Sequence, residues 1–565
     1  MGRATTRSLE RVAAALGLLN GAPIQFERVA DVPDGGVLLA LPALLLYGLL
    51  DKSRKIFSMP EGFYPLESIF LLLALMALGR IPSLESLRYV APGEWGKLIG
   101  LDRIPEVRTL RQKLSELCSQ QGRAERWSGL LAKQWMEHEA QSAGVFYADG
   151  HVRLYHGKLT ALPRRYVARE RLCLRGTTDY WVNAMDGRPF FMVSYPVDPG
   201  LLNVLEHNIV PRLRAEAPGQ PSEQKLVADP LLSRFCIVFD REGYSPDFFA
   251  RMKEQRIAVL TYHKYPAEAW PEQEFRTQPV RLVNGEVVQL QLAERGVRLS
   301  NDLWVREVRQ RSQNGAQSSI LSTDYRSDLS RVAAAMFARW CQENFFRYMR
   351  QHYNLDRLVE YGVEPLPDTT RVINPPWRAL DYQIRSHRAL LSRERAQFGQ
   401  VQLAQHLEPE QVQAYELKKG QLQQAIETRC QHIEHLKIQR KAIPKYILLK
   451  DLPEQDRFQQ LRAEKKHFFD TIKLIAYRAE TALAHLARDK MHRLDDGRSL
   501  IRQVFRTEVD LIPDPQTKTL TVRLHPLTAE VHDQVVKYLC EELTSTETVF
   551  PGTGLRLIYE IAGSC

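Results

Sequence analysis

The chain of 565 residues is too long for a single hydrophobic core, so its length predicts about three or four folded units. A hydrophobic fraction of 44% with charges of both signs excludes a disordered chain. The net charge of +10 favours an anionic partner such as nucleic acid or an acidic membrane surface, although an enzyme with a neutral ligand could also carry it.

The cysteines and the apolar stretches indicate where in the cell the protein is expected. The seven cysteines are scattered and include no C-x-x-C pair, which argues against a disulfide framework and a zinc module and favours a reducing cytoplasm. The N-terminal residues mix Arg and Glu with apolar positions, unlike a signal peptide. The apolar stretches 37–50 and 69–78 are too short to span a bilayer, so we expect buried core helices and no membrane partner.

Residues 1–122 are predicted to form a helical N-terminal DNA-binding region. Segments 83–90, 92–99 and 104–117 have the spacing of a helix-turn-helix unit. In the last segment three leucines share one face, which leaves basic side chains on the rest of the surface. The predicted DNA-binding residues there are Arg108, Arg111 and Lys113. A solvated helical bundle without DNA contacts is the alternative.

Residues 140–262 change to a strand pattern in which two apolar runs end in an acid. The first run, 145–148, ends at Asp149-Gly150, a turn dipeptide, and the buried run 235–239 ends at Asp240. Between them lie further strand segments, a second turn signal at Asp186-Gly187 and a helical segment at 199–215. A short helix and a fifth strand at 257–261 follow.

The order of these elements predicts a fold class. Three strands, a helix, a strand, a helix and a strand is the order of the ribonuclease H-like fold. Residues 263–319 alternate like strands and are predicted to be a mostly β insertion, after which 320–362 complete the core. A helix without Gly or Pro is predicted from about 327 to 353, and it contains Glu343.

The remaining chain is predicted to be an extension of the core. Prolines punctuate the start of 363–450, which we interpret as a linker and a helical pairing region with Leu422, Ile426, Ile433 and Leu436 at pairing positions. Pro409 and Gly420 argue against one continuous coiled coil. Residues 451–565 are predicted to form an α+β domain. The chain is therefore expected to be a multi-domain α/β protein.

Three acids could form one catalytic site on this fold. The strands that end in Asp149 and Asp240 are neighbours in a ribonuclease H-like sheet, and Glu343 on the following helix could close the site. Three carboxylates suit hard Mg²⁺ or Mn²⁺ ions, and two such ions catalyse in-line attack on a phosphodiester. Taken singly, Asp149 could begin a turn, Asp240 could pair with an arginine, and Glu343 could belong to a solvated ion-pair ladder with Arg339.

The acidic segments resemble a known family. Tyr147-Ala148-Asp149-Gly150, the segment from Ile237 to Tyr244, and Arg339-x3-Glu343 resemble the three acidic motifs of bacterial DDE insertion-sequence transposases of the cut-and-paste type. Around the third acid the family often carries Tyr, Arg, Glu and Lys. Here Met336, Arg339, Glu343 and Arg350 occupy those positions, so Tyr is lost and Lys is replaced by Arg.

The resemblance implies an enzyme that binds the terminal inverted repeats of its element and performs metal-dependent hydrolysis and strand transfer. It implies double-stranded DNA as partner, both as transposon ends and as target, a homodimer on paired ends, and a location at the bacterial nucleoid in the cytoplasm. Positive charge near the acids would hold the DNA backbone. The candidate residues are Arg339, Arg347, Arg350, Arg164 and Arg165.

Two other functions fit the same residues. A ribonuclease H-like endonuclease would share the metal site but would not join strands. A domesticated descendant would only bind DNA, although the three acids argue against it. The sequence has no Walker A motif, dinucleotide glycine pattern or hydrolase nucleophile motif.

Overall fold

The computed structural model describes residues 6–59, 62–139, 144–157, 162–167, 170, 172–195, 197–266, 268–283, 285–357, 362–400, 409–491 and 496–563. The chain divides into two compact units. One unit comprises 1–155, 165–362 and 462–565, and the other comprises 156–164 and 363–461. The predicted segments 1–122 and 451–565 thus lie mainly in the unit that holds the acids, whereas 363–450 lies in the other. Among the described residues, no helix is both long and apolar enough to cross a membrane.

The N-terminal region packs around the apolar stretches that the sequence assigns to the core. The stretch 69–78 is buried in a helix that follows Pro65 and ends at Gly79, as its Leu-rich composition favours. Phe57, Phe70 and Trp127 contact the ring of Phe468, so this core is shared with the C-terminal segment. The elements are α1 (Ser8–Ala15), β1 (Val29–Val32), α2 (Leu41–Leu46), α3 (Leu66–Leu78), α4 (Pro92–Leu98), α5 (Val107–Leu117) and α6 (Arg123–His138), with 3-10 turns at Gly35–Ala40, Ser53–Lys55 and Leu84–Tyr89.

A ten-stranded mixed sheet forms the centre of the same unit. Its first strands and helices are β2 (Val145–Leu154), β3 (Arg164–Val167), β4 (Leu172–Asn183), β5 (Pro189–Tyr195), α7 (Leu201–Val204), α8 (Val210–Glu216), α9 (Glu223–Ala228), β6 (Cys236–Val238), α10 (Pro246–Glu254) and β7 (Ala258–Tyr262), with a π-helical turn at Leu205–Ile209. The neighbours run in the order β5-β4-β2-β6-β7. Strands β2, β6 and β7 are parallel, and β4 and β5 are antiparallel to their neighbours.

The prediction of a turn at Asp149-Gly150 is wrong. Strand β2 continues through both residues because β4 pairs with it along its length, with Asp149 opposite Trp181. Strand β4 is one long strand of 12 residues. The turn expected at Asp186-Gly187 does join β4 to β5, with the amide of Gly187 donating to Ala184.

The β-rich segment after β7 extends the central sheet. Its strands are β8 (Arg276–Arg281), β9 (Val287–Arg298), β10 (Trp304–Arg311) and β11 (Gln317–Ser322), each antiparallel to the next. Strand β11 pairs with β7, for example Ile320 with Tyr262. The predicted β character is therefore present, and these strands hydrogen-bond to the core sheet through β11.

Two helices stand where the sequence predicts one continuous helix. They are α11 (Leu329–Phe337) and α12 (Trp340–Tyr353). The break occurs because the amides of Arg339, Cys341 and Gln342 donate to carbonyls three residues earlier, which is a tighter 3-10 pattern. Glu343 thus lies in the first turn of α12 and not in the middle of a long helix.

The second unit contains a helical hairpin and two short sheets. Its elements are β12 (Val363–Glu364), β13 (Arg371–Ile373), α13 (Pro375–Gln400), α14 (Pro409–Lys441), β14 (Tyr446–Leu448) and β15 (Gln460–Leu461). Strands β12 and β15 pair, and so do β13 and β14. Ile433 and Leu436 pack on Ile384, so this helix pairing occurs within one chain. Helix α14, described from Pro409 onward, continues through Gly420.

The C-terminal segment returns to the first unit as helices and a four-stranded sheet. Its elements are α15 (Glu464–Arg488), α16 (Gly497–Val504), β16 (Val509–Asp514), β17 (Thr519–Leu524), α17 (Glu530–Ser545) and β18 (Arg556–Ile561). The sheet order is β1-β16-β17-β18, so the N-terminal β1 supplies an edge strand. The multi-domain, mixed α/β class that the sequence predicts is confirmed.

Candidate active site

Asp149 and Asp240 occupy equivalent positions on adjacent parallel strands. The last paired residues of β2 and β6 are Tyr147 and Val238, and each acid lies two residues further on. Parallel strands present their carboxyl ends at one edge of a sheet, which is where α/β proteins commonly bind ligands. Both acids are half-buried there. The sheet register therefore brings these two predicted residues to the same edge.

Each of these acids is held by the backbone of the following residue. One carboxylate oxygen of Asp149 accepts from the amide of Gly150 at 2.8 Å, and one oxygen of Asp240 accepts from the amide of Arg241 at 2.7 Å. These hydrogen bonds orient both side chains, and the bond from Gly150 favours the ionised form of Asp149.

Gln342 positions the third acid. Its side chain is 1% exposed, and its amide donates to Asn183 Oδ1 at 2.9 Å. The carbonyl oxygens of Tyr147 and Trp181 lie 3.4 Å from the same nitrogen. A buried amide requires such partners, and they lie on β2 and β4. The start of α12, and Glu343 with it, is thereby fixed against the central sheet.

Glu343 forms an ion pair with Arg339 across one helical turn. The nitrogen and oxygen lie 2.6 Å apart, and the two side chains are 58% and 16% exposed, respectively. This is the local pairing that the sequence offered as an alternative to metal binding. An ion pair in contact with solvent contributes little stability, so Glu343 can exchange Arg339 for another cation at small cost.

The three acids interact electrostatically. The pKa of Asp149 is raised from 3.8 to about 6, chiefly because burial disfavours its charge. Arg339 and the Gly150 amide lower this pKa, whereas Asp240 and Glu343 raise it. Both other carboxylates therefore lie close enough to act on Asp149. The structure brings the three predicted acids and Arg339 into one cluster.

Tyr262 is a neighbour that the sequence did not indicate. It ends β7, the third of the parallel strands, and it is half-buried. Burial raises its pKa, Arg339 lowers it, and Asp240 and Glu343 raise it further. Its phenol thus lies near the same charges. Tyr262 follows an apolar strand, as the two aspartates do, and this position in the sequence could have indicated that it belongs to the site.

The donor set fits divalent cations. Three carboxylates face one guanidinium, so the cluster has an excess of negative charge, and oxygen ligands are those that Mg²⁺ and Mn²⁺ prefer. The three acids do not place ligand atoms within 4.8 Å of one another; among the described residues only Asp31, Asp510 and His525 do so. In this arrangement Glu343 is paired with Arg339 at 2.6 Å.

Two of the predicted DNA-binding arginines lie on the helix of Glu343. Arg347 is exposed and donates to Asn344 at 2.9 Å. Arg350 is half-buried, and its Nε lies 3.4 Å from the carbonyl oxygen of Phe346. Positions four and seven residues after Glu343 share its helix face. Together with Arg339 they place positive charge beside the acids.

The other predicted DNA-binding residues lie elsewhere. On α5, Arg108 and Arg111 are exposed, Lys113 is half-buried, and Arg111 pairs with Glu85. Arg164 is exposed in β3, and the side chain of Arg165 lies outside the described residues. No hydrogen bond or ion pair in the described part of the chain joins these residues to the acids. The opposite face of α5 is buried and is formed by Val107, Leu110, Leu114 and Leu117.

The fold and the site define a multi-domain α/β protein with a carboxylate cluster at the carboxyl edge of its parallel strands. The model of the family described as transposase protein matches residues 2–563, and the chain therefore belongs to this transposase family. A search of the curated proteins found no match. The predicted class, a transposase that cuts and transfers DNA, is thus confirmed at the level of the family.

Proposed function

We propose that this transposase is of the DDE type, with a ribonuclease H-like core and with Asp149, Asp240 and Glu343 as catalytic and metal-binding residues. It binds the terminal inverted repeats of its element and performs metal-dependent phosphodiester hydrolysis followed by strand transfer. The observation that carries the proposal is the convergence of the three acids, two of them at equivalent positions on adjacent parallel strands.

The topology of the central sheet supports the core assignment. The order β5-β4-β2-β6-β7, with β2, β4 and β5 successively antiparallel and β6 and β7 parallel to β2, is the arrangement expected of a ribonuclease H-like fold. The β8–β11 meander follows β7 and precedes the helix of the third acid. This is the place of the insertion in the predicted core.

The residues of the cluster divide the chemistry between them. Two divalent ions, when bound, activate the attacking oxygen and neutralise the leaving oxygen at phosphorus. Asp149, Asp240 and Glu343 hold the ions. Asp149 has a pKa of about 6 and is mostly ionised at neutral pH, so it is ready to bind a cation. If Glu343 bound a metal ion in place of Arg339, the guanidinium would be available to donate to a phosphate oxygen.

The proposal also includes the residues that bind DNA and the assembly of two chains. Arg347 and Arg350 hold the DNA backbone beside the acids, and α5 contacts the transposon end through its exposed basic face. Two chains assemble on two ends, and the assembly acts at the bacterial nucleoid. Because the α13–α14 pairing is satisfied within a chain, contacts between chains use other surfaces.

Plasmid cleavage tests the proposal. The full chain is incubated in Mg²⁺ with a supercoiled plasmid that carries the DNA flanking its gene on both sides. We expect Asp149→Asn and Asp240→Asn to abolish cleavage while binding to the ends in a mobility-shift assay stays nearly unchanged. Asp302→Asn is the matched control, since Asp302 is exposed and Asn accepts its left-handed φ of 61°.

The products separate the proposal from its alternatives. Ends joined to a target plasmid support a transposase. Cleavage without joined products indicates a ribonuclease H-like endonuclease, and binding without cleavage indicates a domesticated DNA-binding protein. Nicking by Asp149→Asn or Asp240→Asn at the rate of Asp302→Asn would remove that residue from the site.

A further inference from the structure

A cationic cavity lies in the first unit, away from the carboxylate cluster. It has a volume of about 230 Å³ and lies between α3, α5, the end of α12 and α15. Its lining includes the apolar side chains of Leu73, Met76, Phe469 and Ile472. It also includes four cationic side chains, Arg80, Arg111, Arg357 and Lys473, and one carboxylate, Glu85. A lining that combines apolar surface with an excess of positive charge suits a ligand that is part apolar and part anionic.

Two of these cations form no ion pair in the described part of the chain. Arg80 pairs with Glu480, and Arg111 pairs with Glu85. Within the described ranges, neither Lys473 nor Arg357 forms an ion pair with a carboxylate, and Lys473 Nζ donates to the carbonyl oxygen of Asn354 at 3.1 Å. An ammonium has three N–H donors, so Lys473 retains capacity for a ligand.

Arg80 adds an unsatisfied donor to the wall. Its Nε is buried and has no hydrogen-bond partner, although its other nitrogens bond Ala77 and Glu480. A buried donor without an acceptor is destabilising, and in native proteins it commonly indicates a ligand or water.

Two titratable groups in the cavity wall have lowered pKa values. The pKa of Lys473 is lowered to about 8, mainly by burial; Asp470 opposes this shift, and Arg153, Lys466 and Arg357 add to it. The pKa of His352 is lowered to about 4, first by burial and then by Arg502 and Arg80, while Glu480 opposes the shift. Nearby cations therefore act on both groups, in addition to burial.

We propose that this cavity binds the phosphate of a nucleotide, with Lys473 and Arg357 donating to the phosphate oxygens and the base or sugar against Met76 and Phe469. The choice of a DNA strand as source of that nucleotide rests on the proposed function. Tyr353 in the wall is ten residues after Glu343, which is roughly 15 Å along α12. Arg111 brings the predicted DNA-binding helix to the rim. The cavity is thus bordered by the helix that is predicted to bind the transposon end, α5, and by the helix that carries Glu343, α12.

Binding measured in EDTA tests the proposal without catalysis. The probes are a labelled single-stranded dodecanucleotide, followed by anisotropy, and thymidine 5′-monophosphate as competitor. The variants are Lys473→Gln and Arg357→Gln. The control is Lys418→Gln, which removes the same charge from an exposed position of α14. Circular dichroism checks the fold, and Arg357 is itself exposed, so its replacement should not disturb packing.

We expect each cavity variant to bind the dodecanucleotide roughly tenfold more weakly than the control, as the loss of a charged hydrogen bond implies. The slope of log Kd against log salt concentration should decrease by about 0.7 for each lost phosphate contact. If the mononucleotide competes with the dodecanucleotide in wild type but not in Arg357→Gln, the cavity binds one free nucleotide. If the variants only bind the dodecanucleotide more weakly and the mononucleotide does not compete, the cavity binds a nucleotide within a DNA strand.

Equal affinities and salt slopes in Lys473→Gln, Arg357→Gln and Lys418→Gln would overturn the proposal. The result is independent of the acids because EDTA removes divalent ions. If Asp149→Asn and Asp240→Asn cut DNA normally while the cavity variants bind weakly, the proposed triad fails and the nucleotide pocket stands.

Discussion

Replacing Asp149 with Asn should stabilise the metal-free protein at neutral pH. The folded protein raises the pKa of this carboxyl from 3.8 to about 6, mainly because burial penalises its charge. The folded state therefore binds a proton more tightly than the unfolded state between these two pH values. It follows that stability falls as pH rises from about 4 to 6 and stays at the lower level above that range.

The magnitude follows from the pKa difference. One pKa unit corresponds to about 1.4 kcal/mol, so ionised Asp149 destabilises the folded state by up to roughly 3 kcal/mol at pH 7.5. Asparagine carries no charge and retains an oxygen for the Gly150 amide. The variant should thus gain up to that amount, which corresponds to a rise of a few degrees in Tm for a protein of this size.

Thermal unfolding in EDTA between pH 4 and pH 8 measures this effect. The gain of Asp149→Asn over wild type should be full at pH 7.5 and absent near pH 4, where the wild-type carboxyl is protonated. Added Mg²⁺ should raise the Tm of wild type more than that of the variant, since only wild type retains the full ligand set. A variant that is no more stable than wild type at pH 7.5, or equally more stable at pH 4, would show that the buried charge of Asp149 does not destabilise the folded protein.

Three further predictions concern the same site. Arg339→Gln removes a cation that lowers the pKa of Asp149, so the acid limb of the pH–rate profile should move to higher pH; an unmoved limb would contradict the electrostatic coupling. Gln342→Leu leaves Asn183 without its buried partner and should cost about 1 to 3 kcal/mol in denaturant unfolding. An unchanged midpoint would mean that Gln342 does not anchor α12. In Ca²⁺ the ends should bind with a steep salt dependence but remain uncut, and cutting in Ca²⁺ alone would count against a site built for in-line chemistry.

The acids and the strand order were accessible from the sequence because both depend on local patterns. An apolar run that ends in an acid is visible at Asp240, and chain order alone suggests which strands are neighbours. The helical pairing positions Ile433 and Leu436 were visible for the same reason, as a periodic spacing on one helix.

The contacts that position the site were not accessible. The start of α12 is held by Gln342 donating to Asn183, which is distant in sequence. The pairing of β1 with β16 joins the two ends of the chain, and no local pattern encodes it. Tyr262 joins the cluster only through the sheet register. Pairing over long sequence separations is set by the whole fold, so propensity and periodicity do not reveal it.

Two other acids provide matched controls for the role of Glu343 as the third acid. Glu294 forms an ion pair with Arg306 at 2.5 Å. Asp324 accepts from the amides of Arg326 and Ser327, each at 3.0 Å. Both therefore have structural partners, and neither is among the charges that act on Asp149.

The most direct test is the rate of DNA cleavage in Mg²⁺ by Glu343→Gln beside Glu294→Gln and Asp324→Asn, at equal amounts of folded protein. Glutamine keeps the size of the side chain and removes the charge that binds metal. We predict that Glu343→Gln loses cleavage by orders of magnitude and still binds DNA, while both controls keep most of their activity. Normal cleavage by Glu343→Gln together with an inactive Glu294→Gln or Asp324→Asn would contradict this placement of the triad.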